Sequence, residues 1–297
     1  MREKAVLLCL VLACALCWGT VGLAEDESAW TYNISMSVLS ASGDCLPASS
    51  VPLEAIQNGL TISAYNNCLT DNEMTLLLLC GGHVIPCSVG SRGAEPARQA
   101  YVTVPAKGEV TLTVYPMFDE TAIQEGSFLH AVLIGLCDIY PHSEFDYVQG
   151  FSTVVSIPVT ADSAIAPAHG QPIEEATKPA SKVLNENLFY GMKMLSVNGV
   201  ERSTALFRAS AGPLSLRYAV IPDEADVYVC CLVDNALQPI HGYDGIWVHA
   251  PRGMSYEGEI SLSLEPGKHQ LYLMCVPLFS PAPGFVTSEK IVVEVSP

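Results

Sequence analysis

Apolar and polar residues alternate along two short stretches that share a spelling, GEVTLTV at 108–114 and GEISLSL at 258–264. In each, a glycine, a glutamate and a β-branched residue open a strict period-two pattern, which predicts a strand with one face in a core and one in water. The match extends both ways. Upstream, YVTVP (101–105) aligns with WVHAP (247–251), and TLLLLCGGHVIP (75–86) aligns with VYVCCLVDNALQP (227–239). Downstream, GSFLHAVLIGLC (126–137) aligns with GKHQLYLMC (267–275). Each half then closes on a valine-rich strand, STVVSIPV (152–159) and KIVVEV (290–295). A shared order over this many elements marks an internal duplication.

About seven strands are legible in each copy. The first reads ISMSVLSAS, GLTISAY, TLLLLC, AYVTVP, EVTLTVYP, FLHAVLIGLC and STVVSIPV; the second reads FYGMKMLSV, LSLRYAVI, VYVCCLV, IWVHA, EISLSLE, HQLYLMC and KIVVEV. PLEAIQNG (52–59) is the only stretch that reads as a helix. The pattern predicts an all-β chain of two tandem antiparallel β-sandwich domains, 25–160 and 183–297. Between them, 161–182 is rich in Pro and Ala and lacks periodicity, which predicts a semi-rigid linker.

The first 24 residues follow a different rule. Arg2 and Lys4 precede an apolar run from Ala5, and Gly22 and Ala24 supply small residues before Glu25. This is the form of a cleaved secretory signal at 1–24, placing the mature chain outside the cell. Val11-Leu12-Ala13-Cys14 offers an alternative, lipid anchoring at Cys14. MTLLLLC and FLHAVLIGLC fall well short of the ~20 apolar residues of a spanning helix and read as buried strands, so no membrane span is expected in the mature chain. The formal charge of −17 becomes −18 when Arg2, Glu3 and Lys4 leave with the signal. A surface this acidic repels nucleic-acid backbones and anionic lipid.

The apolar strands TLLLLC and VYVCCLV, the strands GEVTLTV and GEISLSL, and GKHQLYLMC resemble the C, E and F strands of immunoglobulin-like modules. Over residues 30–297 the chain is similar to the tandem Ig-like modules of bacterial secreted or surface proteins. The Cys…Trp…Cys core of antibody domains is absent. The resemblance implies a sandwich fold and a role as a spacer or binding module, and it carries no catalytic residues.

Eight cysteines follow the signal, five in the first copy and three in the second. Cross-strand bridges Cys80–Cys137 and Cys231–Cys275 are expected, with Cys45–Cys68 as a third, leaving Cys87 and Cys230 without intradomain partners. Cys80-Gly-Gly-His83-Val-Ile-Pro-Cys87 also has the spacing of a zinc site, against the simpler reading of a tight Gly-Gly hairpin. Acidic clusters at Asp71-Asn72-Glu73, Asp138…Glu144-Phe-Asp146 and Asp223-Glu224-Ala-Asp226 offer calcium ligands or solvated turns. No nucleophile elbow, His-Glu-x-x-His helix or phosphate-cradling glycine loop is present, so neither an enzyme nor a cofactor is expected. Aromatic residues gather in the connection before the last strand of each copy: Tyr140, Phe145, Tyr147 and Phe151 in the first, Phe279 and Phe285 in the second. Such loops carry recognition in sandwich modules, and aromatic rings stack on sugars and peptide side chains. The expectation is a secreted, non-catalytic module binding an extracellular protein or glycan through these loops. The alternatives are a self-associating structural subunit of a surface assembly, or a zinc- or calcium-binding module.

Overall fold

The computed structural model describes residues 34–297 apart from 48, 69, 119–122, 124–125, 138–148, 161–172, 176–177, 180–190, 202–205, 222–225, 250, 252, 283–286 and 289. The described chain is almost entirely β. Its elements run β1 (Ile34–Ser40), β2 (Val51–Pro52), a one-turn helix α1 (Leu53–Gln57), β3 (Leu60–Asn66), β4 (Asn72–Cys80), β5 (His83–Val84), β6 (Cys87–Val89), β7 (Ala100–Val104), β8 (Gly108–Pro116), β9 (Phe128–Cys137) and β10 (Gln149–Thr160). There follow β11 (Ile173–Glu175), β12 (Lys178–Pro179), β13 (Gly191–Val197), β14 (Val200–Glu201), β15 (Leu206–Ser210), β16 (Gly212–Ile221), β17 (Asp226–Val233), β18 (Ala236–Gln238), β19 (Ile246–His249), β20 (Met254–Leu264), β21 (Gly267–Pro277) and β22 (Ile291–Ser296).

Four sheets form. β1-β3-β8-β6 stands against β2-β10-β9-β4-β5, with β7 also on β4. β12-β20-β16-β13-β14 stands against β11-β19-β17-β21-β22-β15, with β18 also on β17. The antiparallel ladders β3–β8, β4–β9 and β9–β10 have counterparts in β16–β20, β17–β21 and β21–β22. In both pairs of sheets a strand from near the start runs parallel to the last one, β2 beside β10 and β15 beside β22. This is the strand order of an Ig-like sandwich. Part of the stretch expected as a linker is woven in: β11 pairs in parallel with β19, and β12 pairs antiparallel with β20.

The wet-faced strands obey their sequence pattern. In β20, Ile260 and Leu262 are buried while Glu259, Ser261 and Ser263 are exposed. β4 differs, because every residue from Met74 to Cys80 is buried. Successive side chains point to opposite faces. Met74, Leu76, Leu78 and Cys80 enter the core shared with Ile62 and Val114, whereas Leu77 and Leu79 join a second core built mainly from β16, β17, β20 and β21. Val132 and Ile134 of β9 do the same. The apolar run TLLLLC is thus a strand covered on both sides, and from residue 34 onward the chain is one compact unit.

Polar contacts tie this second face together. Thr75 Oγ1 donates to the Asn235 carbonyl at 2.9 Å, the Leu237 N–H donates to Gln99 Oε1 at 2.9 Å, and Arg98 pairs with Asp244. The connection between β21 and β22 lies along β9 and β10: the Phe128 N–H reaches the Leu278 carbonyl at 3.3 Å, and Lys290 Nζ donates to the Gly135 carbonyl at 3.1 Å. Lys290 is 8% exposed, and its ammonium stands 4.6 Å from the Tyr272 ring centroid, a cation–π contact that offsets part of its desolvation.

His130 sits at the centre of this joint, 1% exposed. Its Nε2 faces the Pro277 carbonyl at 2.7 Å; a carbonyl only accepts, so Nε2 carries the proton. Its Nδ1 then accepts from the Ser156 hydroxyl at 2.9 Å, and Ser156 Oγ accepts the Ala282 N–H at 2.9 Å. Burial pushes the imidazole pKa down to about 4, opposed by the bond to Pro277. The ring is therefore neutral near pH 7, with both nitrogens engaged.

The repeated glycine of the opening motif has a different cause in each copy. A Cβ on Gly258 would lie 2.5 Å from Cζ and Oη of Tyr218, a fully buried ring. A Cβ on Gly108 would meet the Pro105 ring at 2.7 Å in an exposed turn that has room to shift. Overpacking against a ring that cannot move costs about 1–3 kcal/mol. Gly258→Ala is therefore expected to lower the unfolding free energy by about 2–3 kcal/mol, and Gly108→Ala by less than half as much, both read by urea denaturation. Equal costs would contradict this reading of the motif.

Candidate functional site

β17 and β19 place three polar or aromatic side chains at one end of their sheet. Trp247 and His249 are two apart on β19 and so share a face. Both reach Asp226, the first residue of β17: the Trp247 indole N–H donates to Asp226 Oδ1 at 3.2 Å, and His249 Nδ1 meets the same oxygen at 2.8 Å. That hydrogen bond, with the negative charges of Asp226 and Glu175, raises the His249 pKa against the opposing effect of burial. In the register of β11 and β19, Ile173 lies beside Trp247 and Glu175 beside His249.

Trp247 is 6% exposed, and Phe279 beyond it is 38% exposed, with ring centroids 6.1 Å apart and planes inclined at 58°. Ile173 is 46% exposed. The result is an aromatic and aliphatic shelf with a fixed floor and a rim that carries Asp226 and Glu175. The floor is wedged from below by the Gly81-Gly82 turn, for a Cβ on Gly82 would come within 3.4 Å of the Trp247 ring. Gly82 has φ +79°, so the turn needs glycine for its backbone.

This turn is the centre of the expected zinc motif. Cys80 faces His83 across the β4–β5 hairpin, and Cys80 and Cys87 are both buried in the first core. Burial pushes their thiols up to about 12 and about 11. Among the described residues, no three His, Cys, Asp or Glu side chains come together as a metal site. The motif serves as a packed hairpin turn. Of the acidic clusters, Asp71 accepts the Ala106 N–H at 2.8 Å and caps a turn, while Asp138, Glu144, Asp146, Asp223 and Glu224 lie outside the described residues.

The cysteine pairings expected from sequence are corrected by register. Cys80 faces Leu129, so on antiparallel β9 Cys137 lies eight residues further on, about 26 Å away. Cys231 faces Leu273 and Cys275 faces Val229, which makes Cys231 and Cys275 a diagonal pair. Diagonal positions stand about 7–8 Å apart, beyond the usual Cα spacing of a disulfide. Both are free thiols, pushed up to about 12 by burial. Cys45 is an exposed thiol not bridged to buried Cys68.

Of the aromatic residues expected to bind, Phe279 is the one whose side chain is described, and it belongs to the shelf. Phe151 lies on β10 opposite Gly135, and its side chain is not described. Tyr140, Phe145, Tyr147 and Phe285 lie outside the described residues. Trp247, Asp226 and His249 were not singled out as a binding group by sequence. The signal was the WVH spacing, which puts Trp247 and His249 on one strand face.

No family model and no curated protein matches the chain. Among solved structures it is similar to the Salmonella enterica SafA pilin in complex with the SafB chaperone, at 9% identity over 87% of this chain and 95% of that one, with a TM-score of 0.28. It is also similar to the E. coli chaperone DraB, at 12% identity over 89% of this chain and 97% of that one, TM-score 0.25. Red sea bream transglutaminase is similar at 12% identity over 89% of this chain, TM-score 0.24, and the match spans 31% of that enzyme. Likenesses this distant assign no activity. Among the described residues, no helix is long and apolar enough to cross a membrane.

Proposed function

We propose that the chain is an extracellular, non-catalytic binding module: a leader at 1–24, then two Ig-like sandwich domains, 25–160 and 183–297, that recognise a protein or glycan. The observation that carries this reading is the Phe279–Trp247 shelf. A half-exposed ring is held on a buried one, and the buried one is fixed by Asp226 and by the Gly82 turn. A pre-positioned aromatic face binds a sugar ring or an apolar side chain without first losing rotamer freedom. The buried groups support a non-catalytic role: the thiols of Cys80, Cys87, Cys231 and Cys275 are held protonated, and both nitrogens of His130 are committed to structure.

The test is a screen of the secreted protein on glycan and peptide arrays, followed by titration of the best hit. Phe279→Ala is expected to weaken binding at least tenfold with an unchanged melting temperature. The triple substitution of Tyr140, Phe145 and Tyr147 by Ala reads the contribution of the other aromatic loop. A hit whose affinity is unchanged in both variants would remove the aromatic ends from recognition.

A further inference from the structure

The two pairs of sheets differ in the length of one connection. From β5 to β7 the chain spends residues 85–99, and there it forms β6, which pairs antiparallel with the outer edge of β8 over Cys87–Val89. From β18 to β19 it has only residues 239–245. That short segment closes as a two-residue turn. Ile240 and Tyr243 exchange backbone bonds of 2.8 and 3.0 Å around His241 (φ +52°) and Gly242 (φ +87°), the left-handed pair of a type I′ hairpin turn. No chain is left in this connection to form a counterpart of β6.

Among the described residues β20 is consequently paired on one side only for most of its length. Its inner edge meets β16 from Tyr256 to Leu264, while on its outer edge β12 covers Met254 and Ser255. Among the described residues no strand covers the outer edge from Tyr256 onward. A groove of about 430 Å³ lies there, with Gln238 and His241 on one wall and Ile260–Ser263 on the other. In an antiparallel strand alternate residues turn N–H and C=O outward, so about two of the four β20 residues that line this groove direct their backbone groups into it.

We propose that the outer edge of β20 is a strand-addition site for an extended, basic segment of a partner protein. The segment runs antiparallel, as β12 does on the first two residues of this edge and β6 does on β8. It sets β-branched residues beside inward-facing Ile260 and Leu262, and Lys or Arg beside outward-facing Glu257 and Glu259. Charge favours this occupant. Glu257 and Glu259 share one cation, Arg217, which meets Glu257 at 3.3 Å and lies opposite Glu259 in the ladder, so two carboxylates face one guanidinium, and the chain carries −17 overall. Main-chain bonds supply affinity and alternate side chains supply selectivity in such additions.

The probe is a fluorescein-labelled octapeptide alternating Val with Lys and Thr, compared with the same peptide N-methylated at alternate residues. Binding is followed by anisotropy, and amide hydrogen exchange is followed across Tyr256–Leu264. The expected result is micromolar binding of the parent peptide, at least tenfold weaker binding of the N-methylated one, and at least tenfold slower exchange of the outward amides on binding. Glu259→Lys is expected to weaken the parent at least fivefold without lowering the melting temperature. Equal affinity of the two peptides would reduce the effect to charge attraction and overturn the proposal. So would absence of binding, or outward amides already protected in the free protein, which would mean the chain covers this edge itself.

Discussion

Leu77→Ala is expected to lower the unfolding free energy by about 3 kcal/mol, as much as Leu76→Ala beside it. The two residues are neighbours on β4 and point to opposite faces, and both are at most 1% exposed. Leu76 fills the core between the first two sheets, and Leu77 fills the core shared with Tyr228, Tyr272 and the strands that carry them. If the two sandwiches were independent bodies on a linker, Leu77 would face water, and its truncation would change stability by no more than about 0.5 kcal/mol. Urea denaturation of the two variants separates these outcomes.

Mild acid is expected to weaken the same joint through His130. The ring titrates at about 4 in the folded chain and near its ordinary value of 6.5 once unfolded. Between those values the unfolded state binds the extra proton, so stability rises with pH across that window and is lost as pH falls through it. The loss attributable to His130 is about 2.5 kcal/mol by pH 4.5. His249 and His269 act in the opposite sense. Their pKa values are raised, for His249 chiefly by the bond to Asp226; for His269 burial lowers the value most, and the bonds and negative charges of Asp234 and Glu265 together outweigh it. Neither side chain is fully buried, and both oppose the His130 effect. His130→Gln keeps a donor for Pro277 and an acceptor for Ser156 and removes the titration. Its melting temperature is expected to fall less than that of the native protein between pH 7 and pH 4.5; parallel falls would exclude His130 as the acid-sensitive group.

Strand identity was legible because one-sided burial writes itself as alternation, and GEVTLTV and GEISLSL form β8 and β20 of the two Ig-like sheet pairs. The runs TLLLLC and VYVCCLV were equally legible as buried strands, but an apolar run does not say what covers its second face. Here β4 and β9 are covered by β17 and β21. The cysteine pairings failed for a related reason: strand ends that look adjacent in sequence order lie at opposite ends of an antiparallel ladder, as Cys80 and Cys137 do. The Cys-Gly-Gly-His spacing carried metal-like chemistry on paper, yet the turn is fixed by the Trp247 ring packed on Gly82, a contact between residues 165 positions apart in the sequence. Phe279 was found from sequence as an aromatic in the right connection. The Asp226–Trp247–His249 group that fixes its floor was not, because it depends on the pairing of β17 with β19.

The central claim is that the two Ig-like sheet pairs share one buried face and unfold as one body. Differential scanning calorimetry of the whole purified protein tests it most directly. The account predicts a single transition whose calorimetric and van't Hoff enthalpies agree, shifted as a whole by Leu77→Ala. Two separable transitions, with Leu77→Ala moving neither or only one of them, would contradict it.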